Sequence, residues 1–148
     1  MAHKVSNIDV KRVNRNQVFR YINHHGRLSR PELAKALHMS SPTILFITNE
    51  LIEKGIIREE GELDSTGGRK AKALMPIHNA RCAIGLDITQ SHICMVLTDL
   101  SGAVIHHTRI RRQFEHSKQY NDNLAELLLA FMDECHVVKE RLLGVGLS

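Results

Sequence analysis

Gly26-Arg-Leu-Ser-Arg-Pro-Glu-Leu-Ala34, Ser40-Ser-Pro-Thr-Ile44 and Ser65-Thr-Gly-Gly-Arg-Lys70, met in that order, decide the fold of this chain. Ser29-Arg-Pro-Glu32 spells a capping box, in which the Ser29 hydroxyl accepts from the Glu32 backbone N–H and the Glu32 carboxylate accepts from the Ser29 N–H. Pro31 falls in the first turn, where no intrahelical N–H bond is lost. Ser40-Ser-Pro-Thr43 repeats the device with a hydroxyl at the cap and Pro42 in the first turn, and Gly55, just past Lys54, supplies the stop. His38-Met39 makes the turn between the two helices. Two short helices followed by a Gly-rich basic hairpin tip are the layout of a winged helix-turn-helix, which points the front half of the chain at DNA.

Upstream, Val18, Phe19, Tyr21 and Ile22 cluster on one face and predict a first helix from about Asn14 to His25, ended by Gly26. In the helix that opens at Ser40, 100° per residue puts Ile44, Ile47, Thr48, Leu51 and Ile52 on one side, while Ser41, Pro42, Thr43, Leu45, Phe46 and Asn49 point elsewhere. The first set is core and the second is available. The N-terminal part of such a helix enters the major groove, where hydroxyls and amides bond base edges and apolar groups meet thymine methyls. Ser40, Ser41, Thr43, Phe46 and Asn49 are therefore candidate DNA-binding residues, with Thr43, Phe46 and Asn49 at the bases. Phe46 has a second reading, as a partly buried core aromatic. No arginine lies on this face to take a guanine. Arg15 and Arg30 join the DNA-binding set; for Arg12, Arg15 and Arg20 on the first helix, phosphate contact stands beside the plainer reading of a solvated face.

Downstream, Ile56-Ile-Arg-Glu-Glu60 reads as a strand, Gly61 to Gly68 as a polar turn, and Arg69 to Met75 as the returning strand. Gly67 and Gly68 allow positive φ and a close backbone approach. They hold Arg69, with Lys70 beside it, at a thin tip that suits the narrow, negative minor groove of A·T-rich DNA. The alternative is a plain hairpin with a solvated arginine.

Charge supports the division. Residues 1–78 hold 13 Lys and Arg against 8 Asp and Glu, while residues 79–148 hold 7 against 8, so the net +4 of the chain lies in its front half. No apolar run approaches the ~20 residues of a membrane span, and the start, Met-Ala-His-Lys-Val-Ser, lacks the apolar core of a secretory signal, which places the chain in the cytoplasm without a membrane partner. Cys82, Cys94 and Cys135 have neither disulfide nor metal spacing and read as buried thiols. Among the 10 histidines, His24-His25 and His106-His107 are adjacent pairs whose side chains diverge, and His78, His92 and His136 share no ligand spacing, so no metal site is expected.

From Arg81 the pattern changes. Cys82 to Asp87, His92 to Leu100 and Ala103 to Ile110 read as strands joined by tight turns. A helix follows, with Leu124, Leu127, Leu128, Phe131, Met132, Cys135 and Val138 forming a stripe for burial. Leu142 to Leu147 begins another apolar run.

The front-half motifs, Asn14-Arg15, Gly26-x-Leu28-Ser29-Arg30-x-x-Leu33-Ala34, Ser40-x-x-Thr43, Leu51-Ile52-x-x-Gly55 and Ser65-Thr66-Gly67-Gly68-Arg69, resemble the DNA-binding domain of the ROK family, which unites bacterial repressors with sugar kinases. The strand-strand-strand-helix-strand order behind them is similar to the opening of that family's sugar-binding domain. The resemblance implies an α+β winged helix-turn-helix over residues 1–78, followed over 79–148 by the first part of an α/β actin-like ATPase (ROK) domain. It further implies a homodimeric or higher-order regulator, a repressor of carbohydrate-utilisation genes, on a double-stranded operator with two half-sites. In the kinase members the first hairpin carries Asp-x-Gly-Gly-Thr, whose glycines bring backbone N–H groups against ATP phosphates. Here Asp87-Ile-Thr-Gln-Ser91 keeps the aspartate, but Thr89 and Gln90 replace both glycines and Ser91 follows. No cofactor is expected, and the chain reads as a regulator rather than an enzyme. The family's catalytic aspartate, sugar-binding residues and Cys/His zinc cluster fall beyond residue 148. A half-built sheet leaves an open edge, so the chain reads as a fragment or shortened product, with a sugar or sugar-phosphate effector expected only of a full-length protein. A sugar kinase fragment and a protein-binding winged helix are the competing readings.

Overall fold

The computed structural model describes residues 7–62 and 71–148. The chain divides into two compact units between Ile77 and His78.

In the first unit, α1 (Asn7–His25), α2 (Arg30–Leu37) and α3 (Ser41–Glu53) are followed by β1 (Ile57–Glu62) and β2 (Lys72–Pro76). Val18 and Ile22 of α1, Leu33 of α2, Ile44, Ile47 and Leu51 of α3, and Ile57 and Leu74 of the strands close one apolar core. Spacings of three, four and seven along each helix turn these side chains to one side. Ile52, expected in the core, packs against it only half-buried.

The caps set the helix ends. Ser29 N–H donates to Glu32 Oε2 at 2.7 Å while Glu32 N–H donates to Ser29 Oγ at 3.3 Å. The Ser29 N–H first, and second the Ser29 hydroxyl, which donates to the same Glu32 Oε2 at 2.7 Å, hold the Glu32 carboxyl below the usual carboxylate range. Ser40 Oγ accepts from Thr43 N–H at 3.4 Å at the start of α3. Gly26 (φ 75°) ends α1, its N–H donating to Ile22 O at 2.9 Å. α1 starts two turns before the expected Asn14, because its first turns do not pack: Val10 and Val13 are exposed, so apolar periodicity could not reveal them.

β1 and β2 pair antiparallel, with Ile57 opposite Pro76 and Glu59 opposite Leu74. β1 runs on past Glu60 through Gly61, which sits at φ 66° where the register shifts between Glu59 and Glu62, so Gly61 is a bulge inside the strand and not the start of the turn. Leu28 bridges β2 on its other edge by exchanging two hydrogen bonds with Leu74, of 3.1 and 2.7 Å. The sequence gives no sign of this third element, which is one residue wide. Gly67, Gly68, Arg69 and Lys70 lie outside the described residues.

In the second unit, β3 (Cys82–Ile88), β4 (His92–Asp99) and β5 (Val104–Arg111) form an antiparallel meander, α4 (Lys118–Glu134) crosses over, and β6 (Leu142–Leu147) joins parallel to β3, giving the order β5-β4-β3-β6. α4 covers one face, with Ile84, Leu86, Ile93, Met95, Leu97, Tyr120 and Phe131 forming the core. Leu124, Leu127, Leu128, Met132 and Cys135 join it as expected, but Val138 is 47% exposed and Val137 packs in its place. The helix ends at Glu134 and His136 turns left-handed (φ 50°), which breaks the 3.6-residue phase before Val138. The three cysteines are half-buried rather than buried. Burial still pushes the Cys82 and Cys135 thiols up.

Candidate nucleic-acid interface

On α3, Ser41, Pro42, Leu45, Phe46 and Asn49 are exposed and Thr43 is half-buried, while Ile44, Ile47, Thr48 and Leu51 are buried. The helical period and the core on the opposite side make this division. Phe46 is 63% exposed, which overturns its reading as a core aromatic. Thr43 Oγ1 lies 2.8 Å from Ser40 Oγ, so both hydroxyls are engaged at the cap and stand at the very start of the helix.

Beside this face runs a groove of about 760 Å³ between α1 and α3, lined by Lys11, Arg12, Asn14, Arg15, Pro42, Thr43, Phe46, Ile47 and Glu50. Its walls carry cations from α1 and an aromatic from α3. Arg15 Nη1 meets Glu50 Oε1 at 2.7 Å, and Lys54 reaches the same oxygen. Lys54 first and Arg15 second hold the Glu50 carboxyl below the usual range. Arg15 is thus anchored at the groove with its guanidinium still partly open, at 34% side-chain exposure. Arg12, also at the groove, pairs with Asp9 one turn earlier on α1 at 3.4 Å.

Arg30 stands differently from what its sequence position suggests. It turns inward, its Nε donating to Thr48 Oγ1 at 2.9 Å, its Nη2 to Asn49 Oδ1 at 3.2 Å, and its Nη1 pairing with Glu59 Oε1 at 2.7 Å. Glu59 also holds Lys72 at 2.8 Å, and Lys72 first, then Arg30, keep its carboxyl below the usual range. One side chain of α2 so joins α3 to β1. Sequence reasoning missed this clamp because Arg30 and Glu59 are far apart in the chain and obey no period.

In the second unit, the hairpin after Asp87 closes on itself. Thr89 N–H donates to His92 O at 2.9 Å, and Thr89 Oγ1 accepts from His92 N–H at 3.1 Å. The Gln90 and Ser91 carbonyls accept from Phe114 and Arg112, each at 2.9 Å. Asp87 Oδ1 accepts from Ser148 Oγ at 2.9 Å. Among the described residues no three His, Cys, Asp or Glu side chains converge on a point, and no helix is long and apolar enough to cross a membrane.

Comparison with known proteins points the same way. Residues 11–58 match the winged helix-turn-helix DNA-binding family. The N-acetylglucosamine repressor of Escherichia coli O6:H1 is 33% identical over 103 residues, 69% of this chain and 25% of that protein. The xylose repressor of Bacillus spizizenii is 28% identical over 141 residues, 93% of this chain and 36% of that protein. A crystal structure of a ROK family transcriptional regulator, described as a homolog of the E. coli MLC protein, superposes with a TM-score of 0.68 at 24% identity, over 93% of this chain and 35% of that one. The last likeness speaks for the fold alone. The chain spans between a quarter and about a third of the length of these proteins.

Proposed function

We propose that this chain, which belongs to the ROK family of transcriptional regulators, binds a double-stranded operator and represses genes of carbohydrate use. The observation that carries the reading is the exposed face of α3, where Phe46 stands beside Thr43 and Asn49 along a groove walled by Lys11, Arg12 and Arg15. Exposed aromatic surface next to cations is costly to leave in water and well matched to a groove edge with phosphates on either side. In this reading Ser41, Thr43, Phe46 and Asn49 face the major groove, Ser40 sets the helix start, and Arg15 meets phosphate. Gly67, Gly68, Arg69 and Lys70 are assigned to the minor groove. Residues 1–78 form the DNA-binding domain and 79–148 the first part of the sugar-sensing domain, with two copies of the regulator meeting two half-sites. The relatives are named as repressors, and the self-bonded Thr89–His92 turn, whose side chains stand where a phosphate loop needs bare backbone, supports a regulator without kinase activity; as a DNA-binding protein it is assigned to the cytoplasm.

Affinity for duplex DNA measured across salt concentrations tests the reading. Log affinity is expected to fall linearly with log salt, the slope easing by about 0.9 for each phosphate-contacting cation removed, as in Arg12→Gln or Arg15→Gln. Binding that ignores salt would contradict it.

A further inference from the structure

Arg30 carries a consequence for how bases are told apart. Thr48 is fully buried and donates its hydroxyl proton to Leu45 O at 3.2 Å, which leaves its oxygen to receive Arg30 Nε. Glu59 is gripped from a second side by Lys72. The guanidinium is therefore fixed at three corners by α3 and β1, and its Nη2 meets the Asn49 amide at 3.2 Å. A guanidinium carries donors and no acceptor, so the end of the amide turned toward it has to be the oxygen. Asn49 is exposed, and its Nδ2 group takes no partner among the described residues.

We propose that Arg30 is a positioning residue for base readout, which presents Asn49 to the major groove as a hydrogen-bond donor and so selects guanine over adenine at one base pair. This rests on the reading of α3 as the recognition helix. An unconstrained Asn pairs with adenine through both ends of its amide, the oxygen accepting from N6 and the nitrogen donating to N7. The oxygen keeps a second lone pair, but its end of the amide is turned to Arg30, so the edge left for the groove is Nδ2, and an adenine amino group placed there meets a donor. Guanine offers N7 and O6, both acceptors, and cytosine offers only its N4 donor, which Asn49 cannot accept.

The test is selection of duplexes from a randomised pool by the full chain, then affinity for the selected duplex and its single-base variants. The base pair that answers to Asn49 is the one whose profile changes in Asn49→Asp, a substitution at an exposed position. There the wild type is expected to favour guanine over adenine about tenfold, and Asn49→Asp to move the preference to cytosine, since a carboxylate only accepts. Arg30→Met keeps an apolar stem and removes the donors, and is expected to bring the guanine-to-adenine ratio within about twofold or to reverse it. Circular dichroism accompanies each variant; should Arg30→Met fail to fold, the wild-type ratio decides. Retention of no duplex overturns the DNA-binding reading itself. Duplex binding that favours adenine at the Asn49 pair, or a base profile that Arg30→Met leaves unchanged, overturns this proposal alone.

Discussion

The two units expose apolar surface in different company. In the first, Phe46 of α3 projects beside Lys11, Arg12 and Arg15, over a core closed by three helices and two strands. In the second, Val104 and Ile105 of β5 and Leu143, Val145 and Leu147 of β6 are exposed on a sheet that α4 covers on one face. An exposed aromatic among cations and amides has directional partners to offer, which suits the recognition proposed for it. Exposed aliphatics on a sheet have only area to offer and serve packing.

The largest expected effects separate the units. Phe131→Ala removes the fully packed ring under the second sheet and is expected to destabilise that unit by about 3–5 kcal/mol, while Ile44→Ala costs the first unit about 2–5 kcal/mol. Chemical denaturation followed by circular dichroism reads both. Only Ile44→Ala should abolish DNA binding, because it loosens α3; loss of binding in Phe131→Ala would erase the distinction drawn here. Next in size, Gly85→Ala would set a Cβ 2.8 Å from Val96 Cγ1 across the β3–β4 pair, an overpacking expected to cost about 1–3 kcal/mol in the second unit alone.

Phe46→Ser against Leu143→Ser sharpens the contrast at the surface. Phe46→Ser is expected to weaken duplex binding on the order of tenfold with stability changed by about 0.5 kcal/mol or less, and Leu143→Ser to leave binding unchanged. Equal effects on binding would mean that exposure alone, and not its neighbours, governs recognition.

The smallest effect is acidic. Glu32, Glu50 and Glu59, all in the first unit, have carboxyls held below their ordinary value. Their contribution is complete above the unfolded value and is lost as pH falls through the lower folded values, since the unfolded chain then binds protons more readily. Denaturation midpoints of the first unit should drop through that acid window, and Glu59→Gln should flatten the drop. A midpoint indifferent to acid would deny the Glu32 capping box and the Glu50 and Glu59 ion pairs any part in stability.

What was legible in the sequence was what local chemistry decides. Ser29, Glu32, Pro31, Ser40, Pro42, Gly26 and Gly55 marked helix ends because capping hydroxyls and carboxylates, early prolines and terminal glycines act within a few residues of themselves. Ile44, Ile47 and Leu51 announced the buried side of α3 by period. The strands of the second unit stood out by their apolar runs. The early turns of α1 did not, since Val10 and Val13 face water and carry no packing signal. Phe46 could be read either way, because an aromatic at the edge of an apolar stripe is core or display according to neighbours that sequence does not supply. Arg30 read as a DNA-binding residue because nothing local discloses a partner at Glu59, and the Leu28–Leu74 bridge was hidden for the same reason of distance.

The most direct test of the central claim, that α3 and the cationic side of α1 form the DNA-facing surface, is amide chemical-shift mapping of the full chain titrated with duplex DNA. The account predicts perturbations gathered on residues 11–15 and 40–49, accompanied by residues 67–70 assigned to the minor groove, with the sheet of the second unit unmoved. Perturbations concentrated on residues 82–111, with residues 11–15 and 40–49 silent, would contradict it.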